Sequence, residues 1–384
     1  MYPTIVITAA VPWDGIIARP HHLARQLASR GWPILFVEPP VTLIGPFRNP
    51  ALRDRMLPKN PIQDVERDTV GHIRILQPMT TLPFYHVARP VNRFNQRLLA
   101  RQIRQHEAGP LVLFSNLPGS VDLIPWLRPI ATFYDCVDDH GAFGGLTRSD
   151  VIESLEADMS YQSRAVFATA DALVEKMALY HNDVHLVPNA VELDHFRTAA
   201  SATPHPELSD IKGPRVGFIG GIGAWLDFDF LHQLATSRSD VQFVFIGPVE
   251  ADVSKIRSLP NVHFLGRKPY TALPQFLAGF DACLYPFANS KLTESVNPVK
   301  VYEYLAADKE VIATPTRELN KFSQHVWLTP DATAAENALA AILSGEKRST
   351  MAEREPFLRE QTWSARATQI ESILLHHLPG NRAH

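Results

Sequence analysis

Residues 298–315 read PVKVYEYLAADKEVIATP, directly after Asn297. Asn is a favoured N-cap and Pro a favoured first helical residue, so a helix is predicted to begin at Asn297-Pro298. It runs through Val299, Lys300, Val301, Tyr302 and Glu303 to Asp308, where Asp is tolerated in a left-handed cap. Glu310 then opens EVIA, a short run that is apolar after its first residue. A helix feeding a run of that kind is half of a βα unit in a parallel sheet. The free N–H groups and dipole at such a helix start favour an anion by roughly 0.3–1 kcal/mol. Lys300 in the first turn opposes that dipole, which makes sense if an anion sits between the ammonium and the helix end. Glu303, three residues on, shares its face and can accept from two vicinal hydroxyls, as on a ribose. A plain capped helix with an i,i+3 ion pair is the competing account, and local physics weighs the two about equally.

The same alternation extends in both directions. Apolar runs at Thr4–Ala9, Pro33–Glu38, Ile73–Gln77, Leu111–Phe114, Ile130–Tyr134, Ala165–Ala168 and Val184–Val187 read as strands. Helical patterns lie between them at Arg19–Arg30, Val91–His106 and Asp150–Arg164. The stretch Thr198–Pro214 is rich in Ala, Ser, Pro and Asp and reads as a linker and hinge. A second series follows: RVGFIG, QFVFIG, NVHFLG, ACLYPF and EVIATP. The expected organisation is α/β, with two doubly wound Rossmann-like domains facing a cleft. Residues 1–200 form the first domain and 212–360 the second, and closure over a ligand is expected. Ser364 can cap a last helix whose Ile370, Ile373, Leu374 and Leu378 form an apolar stripe. That helix, 364–378, packs on its own domain or returns to the first.

Composition narrows the function. The formal net charge of -3 over 384 residues provides no basic field, so nucleic acid is not an expected partner. Cys136 and Cys283 read as buried core residues and exclude a disulfide framework, which fits a reducing, cytoplasmic setting. The histidines show no metal-ligand spacing. The start, MYPTIVITAAVPWDG, lacks a signal-peptide pattern and no apolar stretch approaches bilayer length, leaving room only for peripheral membrane contact.

Two loops in the first half carry candidate chemistry. Tyr134-Asp135-Cys136-Val137-Asp138-Asp139-His140 places three carboxylates at a strand's carboxyl end, costly there unless solvated or used. Asp138, then Asp139, is the candidate that meets a reacting hydroxyl, as base or as orienting group; a polar helix-capping loop is the alternative. Trp13, Asp14 and Gly15, with Arg19, His21 and His22, form the turn after the first strand. Acceptor or phosphate contact competes there with an ordinary βα turn. Gly221-Ile222-Gly223 is too short for a dinucleotide fingerprint, which leaves a dehydrogenase a poor second reading. Asp227-Phe228-Asp229 imitates a metal-binding D-x-D but sits where a helix start expects acids.

PVKVYEYLAADKEVIATP resembles the P-x-K-x-x-E-Y-L-A-x-G-K-P-V-I signature of the retaining GT-B glycosyltransferases of family 4, glycosyl transferases group 1. LVPNAVELDHF, VGFIGGIGAWLDFDFL, QFVFIGP and NVHFLGRKPYTALPQFLAGFDACLYPF follow that family's order. FYDCVDDHGAF resembles a subgroup linked to bacterial surface polysaccharide and teichuronic acid synthesis. Trp363 opening the last helix is similar to the GT-B habit of returning it to the first domain.

The resemblance implies a hexosyltransferase using a nucleotide diphosphate sugar, UDP-linked foremost, on a saccharide or lipid-linked acceptor at the inner membrane face. It also implies no cofactor and no metal. Glu303 matches the family's ribose-binding glutamate. The segment Asn297, Pro298, Val299, Lys300 would meet the diphosphate; Gly266, Arg267 and Lys268 would border the base; and Gly220 and Gly221 would approach the donor. Ser295 stands where the family's first glutamate is expected, with Glu294 one position off as its substitute. The family's arginine and lysine after Gly220 are replaced by Ile222–Asp227, leaving Arg267, Lys291 or Lys300 to supply phosphate charge. A nucleotide-sugar epimerase and a silent donor-binding subunit share the fold and stand as alternatives.

Overall fold

The computed structural model describes residues 2–56, 61–65, 72–84, 87–142 and 148–378. The chain divides into two compact units: residues to Pro188 with those from Arg366 onward, and Asn189–Ala365.

The first unit is built on an eight-stranded sheet, ordered β3-β4-β2-β1-β5-β6-β7-β8. Its strands are β1 (Thr4–Thr8), β2 (Ile34–Val37), β3 (Ile62–Asp64), β4 (Ile73–Leu76), β5 (Leu111–Ser115), β6 (Ala131–Cys136), β7 (Ala165–Ala168) and β8 (Val184–Leu186). All pairings are parallel except β3 with β4. ILFV and LVLFS are buried at every position, which is why they carry no alternation: helices cover both faces. β1 lies between β2 and β5, so the chain reverses its winding there and opens a crevice beyond the ends of β1 and β5. The Arg19–Ser29 helix packs Leu23 and Leu27, one turn apart, into the core. β3 escapes the sequence reading because one half-buried residue, Ile62, followed by the exposed Gln63 and Asp64 makes no apolar run.

The last helix, Trp363–His377, returns to the first unit from Arg366 onward. Ile370, Leu374 and Leu378 are buried. Trp32 Nε1 donates to Glu371 at 2.8 Å, Gln369 donates to the Leu186 carbonyl at 3.0 Å, and His377 Nε2 lies 2.8 Å from Asp183. Its cap differs from expectation: Thr362 Oγ1 accepts from the Ala365 amide at 3.2 Å, while Ser364 is exposed.

The second unit has a six-stranded parallel sheet, ordered β11-β10-β9-β12-β13-β14. The strands are β9 (Arg215–Ile219), β10 (Gln242–Ile246), β11 (Val262–Gly266), β12 (Ala282–Tyr285), β13 (Glu310–Ala313) and β14 (Trp327–Leu328). Here the winding reverses between β9 and β12. β9 and β10 end so close together that a Cβ on Gly247 would lie 1.8 Å from the Gly220 carbonyl oxygen. Residues 198–214 are not a free linker. Ala199, Leu208 and Ile211 join the core of this unit, and the Arg215 guanidinium donates to the carbonyls of Ile211, Leu208 and Gly279.

Candidate functional site

In the second unit, β12 leads through a short Lys291–Glu294 turn into the Val299–Ala306 helix. Pro298 is the N-cap residue and no side chain caps this helix. Asn297, predicted as the cap, turns its side chain elsewhere. Its Oδ1 accepts from the Asn189 amide at 3.0 Å and its Nδ2 donates to Glu318 at 3.0 Å, while Asn189 Nδ2 donates to the Asn297 carbonyl at 3.1 Å. The two asparagines thus pin the PNAVELDHF segment to the helix start. The Val299 and Val301 amides are bonded to the carbonyls of Asn297 and Pro298, at 3.0 Å each. Of residues 299–301, the Lys300 amide remains for an anion. The first turn holds no acid to neutralise the dipole there.

Glu303 is 4% exposed, and Lys300 Nζ donates to its Oε2 at 2.7 Å. Burial raises its carboxyl pKa, and the Lys300 ammonium works against that rise; His195 and Glu192 also act on it. These two come from the Leu193–Arg197 helix and its N-cap, which pack on the Val299–Ala306 helix. The His195 ring stacks on Tyr270 at 4.6 Å and donates to the Tyr270 carbonyl at 3.1 Å. The domain boundary expected at residue 200 puts this stretch in the first domain, so Glu192 and His195 are not among the donor-side residues expected from the sequence. The resemblance of LVPNAVELDHF to the family's sequence is the signal that finds them.

The other donor-side candidates are placed variously. Gly266 has φ +68° and open space where a Cβ would stand, and Arg267 beside it is exposed. Lys268 is held by the Glu207 carboxylate at 2.6 Å. Gly220 ends β9, but the Trp225 indole lies over Gly221 and donates to its carbonyl at 3.2 Å. Ser295 is buried and bonds the Lys291 carbonyl at 3.4 Å; Glu294 accepts from the Arg317 amide at 3.4 Å. Beneath the site, Tyr304 Oη accepts from the Ile219 amide at 2.8 Å and fixes the end of β9. Tyr304→Phe leaves that buried N–H without its partner, and a loss of about 1 kcal/mol in denaturant unfolding is expected; an unchanged midpoint would contradict this role.

In the first unit the three carboxylates after β6 separate by partner. Asp135 is fully buried and takes a bidentate pair from Arg19, Nε at 2.9 Å and Nη2 at 2.8 Å, and Asn116 also donates to it at 2.7 Å. Arg19 therefore binds the sheet's own carboxylate and the Pro188 carbonyl, at 3.0 Å, rather than standing open to an acceptor phosphate. Asp139 pairs with Lys176 at 2.7 Å, and Lys176 also meets Glu156 at 2.5 Å. Those two carboxylates keep the ammonium charged, its pKa well above the ordinary value despite burial. Asp138 makes no ion pair among the described residues. Burial, then the charge on Asp139, pushes its carboxyl up to about 7. His140 donates Nε2–H to the Asn116 carbonyl at 3.1 Å, and burial lowers its pKa to about 4, so it is neutral near pH 7.

Around the turn after β1, the Trp13 amide donates to Glu38 at 2.7 Å and its ring packs on Phe36 at 4.9 Å. Gly15 serves the turn itself: a Cβ there would lie 2.8 Å from the Pro12 oxygen. Asp14 is exposed and His22 buried. Beyond the ends of β1, β2, β4 and β5 lies a cavity of about 530 Å³, lined by Met79, Asn92, Asn95, Gln102, Ser120 and His140 among others. It adjoins the Asp138 loop through His140. Among the described residues no His, Cys, Asp or Glu cluster could hold a metal ion, and no helix is long and apolar enough to cross a membrane.

Two parallel-sheet units, with the last helix returned to the first, define the GT-B fold of glycosyltransferases. Solved structures share it across the chain. Sucrose-phosphate synthase from Thermosynechococcus elongatus superposes with a TM-score of 0.69 at 15% identity, covering 97% of this chain and 98% of its own. The UDP-forming α,α-trehalose-phosphate synthase of Burkholderia vietnamiensis gives 0.70 at 13%, covering 100% and 99%. Anabaena Alr3699/HepE, solved with UDP and glucose, gives 0.66 at 12%, covering 97% and 99%. Residues 213–345 match the glycosyl transferases group 1 family, so the second unit carries a domain of that family. A Bacillus subtilis protein named "Putative teichuronic acid biosynthesis glycosyltransferase TuaH" is 29% identical over 226 residues. The match spans 55% of this chain and about half, 56%, of that relative's length.

Proposed function

We propose that the chain transfers a hexose from a nucleotide diphosphate sugar, UDP-linked foremost, to a hydroxyl of a saccharide or lipid-linked acceptor in bacterial surface polysaccharide synthesis. The observation carrying this reading is Glu303. It is a buried carboxylate tied to Lys300, which stands in the acid-free first turn of the same helix, in a domain of the group 1 family. In the donor complex the Lys300 ammonium and amide meet the diphosphate, and the Glu303 carboxylate accepts from the ribose hydroxyls. This positive charge takes the place of a metal ion, and no cofactor enters.

On the first unit, the cavity beside His140 receives the acceptor, and Asp138 orients its hydroxyl. The nucleotide diphosphate leaves with the electron pair of the anomeric C–O bond. The acceptor oxygen bonds the same carbon on the same face, as the family resemblance supports, and its proton passes to Asp138. Asp139 and Lys176 hold that loop in shape.

A thermal-shift screen of nucleotide sugars, followed by product analysis with and without a saccharide acceptor, tests the reading. A raised melting point with UDP-sugars and a product of retained configuration, formed when acceptor is added, are expected. Donor binding with neither hydrolysis nor transfer would indicate a silent subunit, for which Ser295 is the argument. Conversion of the donor without acceptor would indicate an epimerase.

A further inference from the structure

The Arg89–His106 helix carries Arg89, Arg93, Arg97, Arg101 and Arg104 and no carboxylate. Two of these serve the fold. Arg89 pairs with Asp122 and Asp158, and Arg104 donates to the carbonyls of Leu127 and Gly109. The other three, spaced four apart, form an exposed stripe along one helix face. Arg93 is only 3.6 Å from Asp122 at its nearest and remains 63% exposed, Arg97 lies over the Trp126 ring, and Arg101 makes no ion pair among the described residues.

Large apolar side chains stand uncovered beside this stripe. Phe94 on the same helix is 50% exposed, Met79 54%, Phe84 56% and Phe47 89%. Backbone pairing makes these neighbours. The Met79 amide bonds Gln102, and Asn95 bonds both the amide and the carbonyl of Leu82. Thr81 then pairs with Val41 and Leu43 on the segment that carries Phe47. The helix, the segment 79–82 and the Phe47 segment are therefore adjacent in that order. Single exposed apolar residues need no explanation, but a row of them edged by a stripe of exposed arginines does.

We infer that this face of the first unit docks on an anionic lipid bilayer, with the arginines against the headgroups and Phe47, Phe84, Met79 and Phe94 entering the interface. The helix itself carries three exposed cations and no acid, with only Arg93 near a carboxylate, that of Asp122, and aromatic and thioether side chains flanked by arginine suit the headgroup boundary. A soluble acidic protein would be met by charge alone and would leave the apolar row without a partner. The inference concerns where the chain works and uses none of the donor-side residues, although Met79 and Arg101 also line the cavity assigned to the acceptor.

The test is flotation of the full chain with vesicles of phosphatidylglycerol and phosphatidylcholine in equal parts, and with phosphatidylcholine alone. Binding to the first and little to the second is expected. The combined Arg93→Gln, Arg97→Gln, Arg101→Gln variant should partition on the order of 100-fold more weakly, from about five-fold per arginine. Phe47→Ser should weaken binding while leaving its salt dependence in place. Both variants should retain wild-type melting and nucleotide affinity, which separates loss of docking from loss of fold. Absence of binding to the anionic vesicles, equal binding to both kinds, or wild-type binding by the triple variant would overturn the inference. So would equally tight binding to single-stranded DNA, which would reduce the stripe to a general anion site.

Discussion

Asp138→Asn is expected to slow sugar transfer by about 100-fold or more at pH 8, the loss typical of removing a positioned proton acceptor. The asparagine keeps the shape and can still orient a hydroxyl, but it cannot take the proton. Because burial and Asp139 put the Asp138 carboxyl at about 7, the wild-type rate should rise through that pH as the side chain ionises. The variant should lose this limb of the profile. Stability should move the opposite way. A carboxyl raised from the ordinary 3.8 to about 7 binds its proton more tightly in the folded chain, so its contribution is present at low pH and lost as pH rises through 7. Asn mimics the neutral form, so the variant should melt above wild type at pH 8, with the gap closing toward pH 4. A variant with full activity and an unchanged pH profile would reduce Asp138 to a loop residue. Asp139→Asn provides the contrast, since it removes one of the two carboxylate partners of Lys176 and should destabilise at neutral pH instead.

The second large effect is at Glu303. Glu303→Ala removes the acceptor for two ribose hydroxyls and leaves Lys300 without its partner. Affinity for a nucleoside diphosphate, measured by calorimetry, should fall by about 1–3 kcal/mol, or roughly 5- to 150-fold. Glu303→Gln should lie between, because one amide oxygen still accepts. Wild-type affinity in the alanine variant would place the ribose elsewhere.

The parallel sheets could be read from the chain because strands such as ILFV and LVLFS are buried on both faces and leave unbroken apolar runs. β3 and β14, three and two residues long, leave no such trace. The segment 198–214 misled for a related reason. Its buried residues, Ala199, Leu208 and Ile211, are scattered among Pro, Ser and Asp and held by tertiary packing rather than by a periodic element. At the site, Lys300 and Glu303 could be paired from their spacing alone, since an i,i+3 contact is local. The role of Asn297 could not, because the residue that draws it from the cap position, Asn189, is 108 positions away. The same limit hid the division of labour after β6. Three aspartates look alike until Arg19 claims Asp135 and Lys176 claims Asp139, leaving Asp138 alone to titrate near neutrality.

Electron density for UDP in crystals of this chain addresses the donor assignment without intermediaries. The account predicts the diphosphate against the amide and ammonium of Lys300, with the ribose hydroxyls on Glu303. Well-ordered nucleotide bound anywhere else, with the Lys300–Glu303 pair still closed on itself, would contradict it.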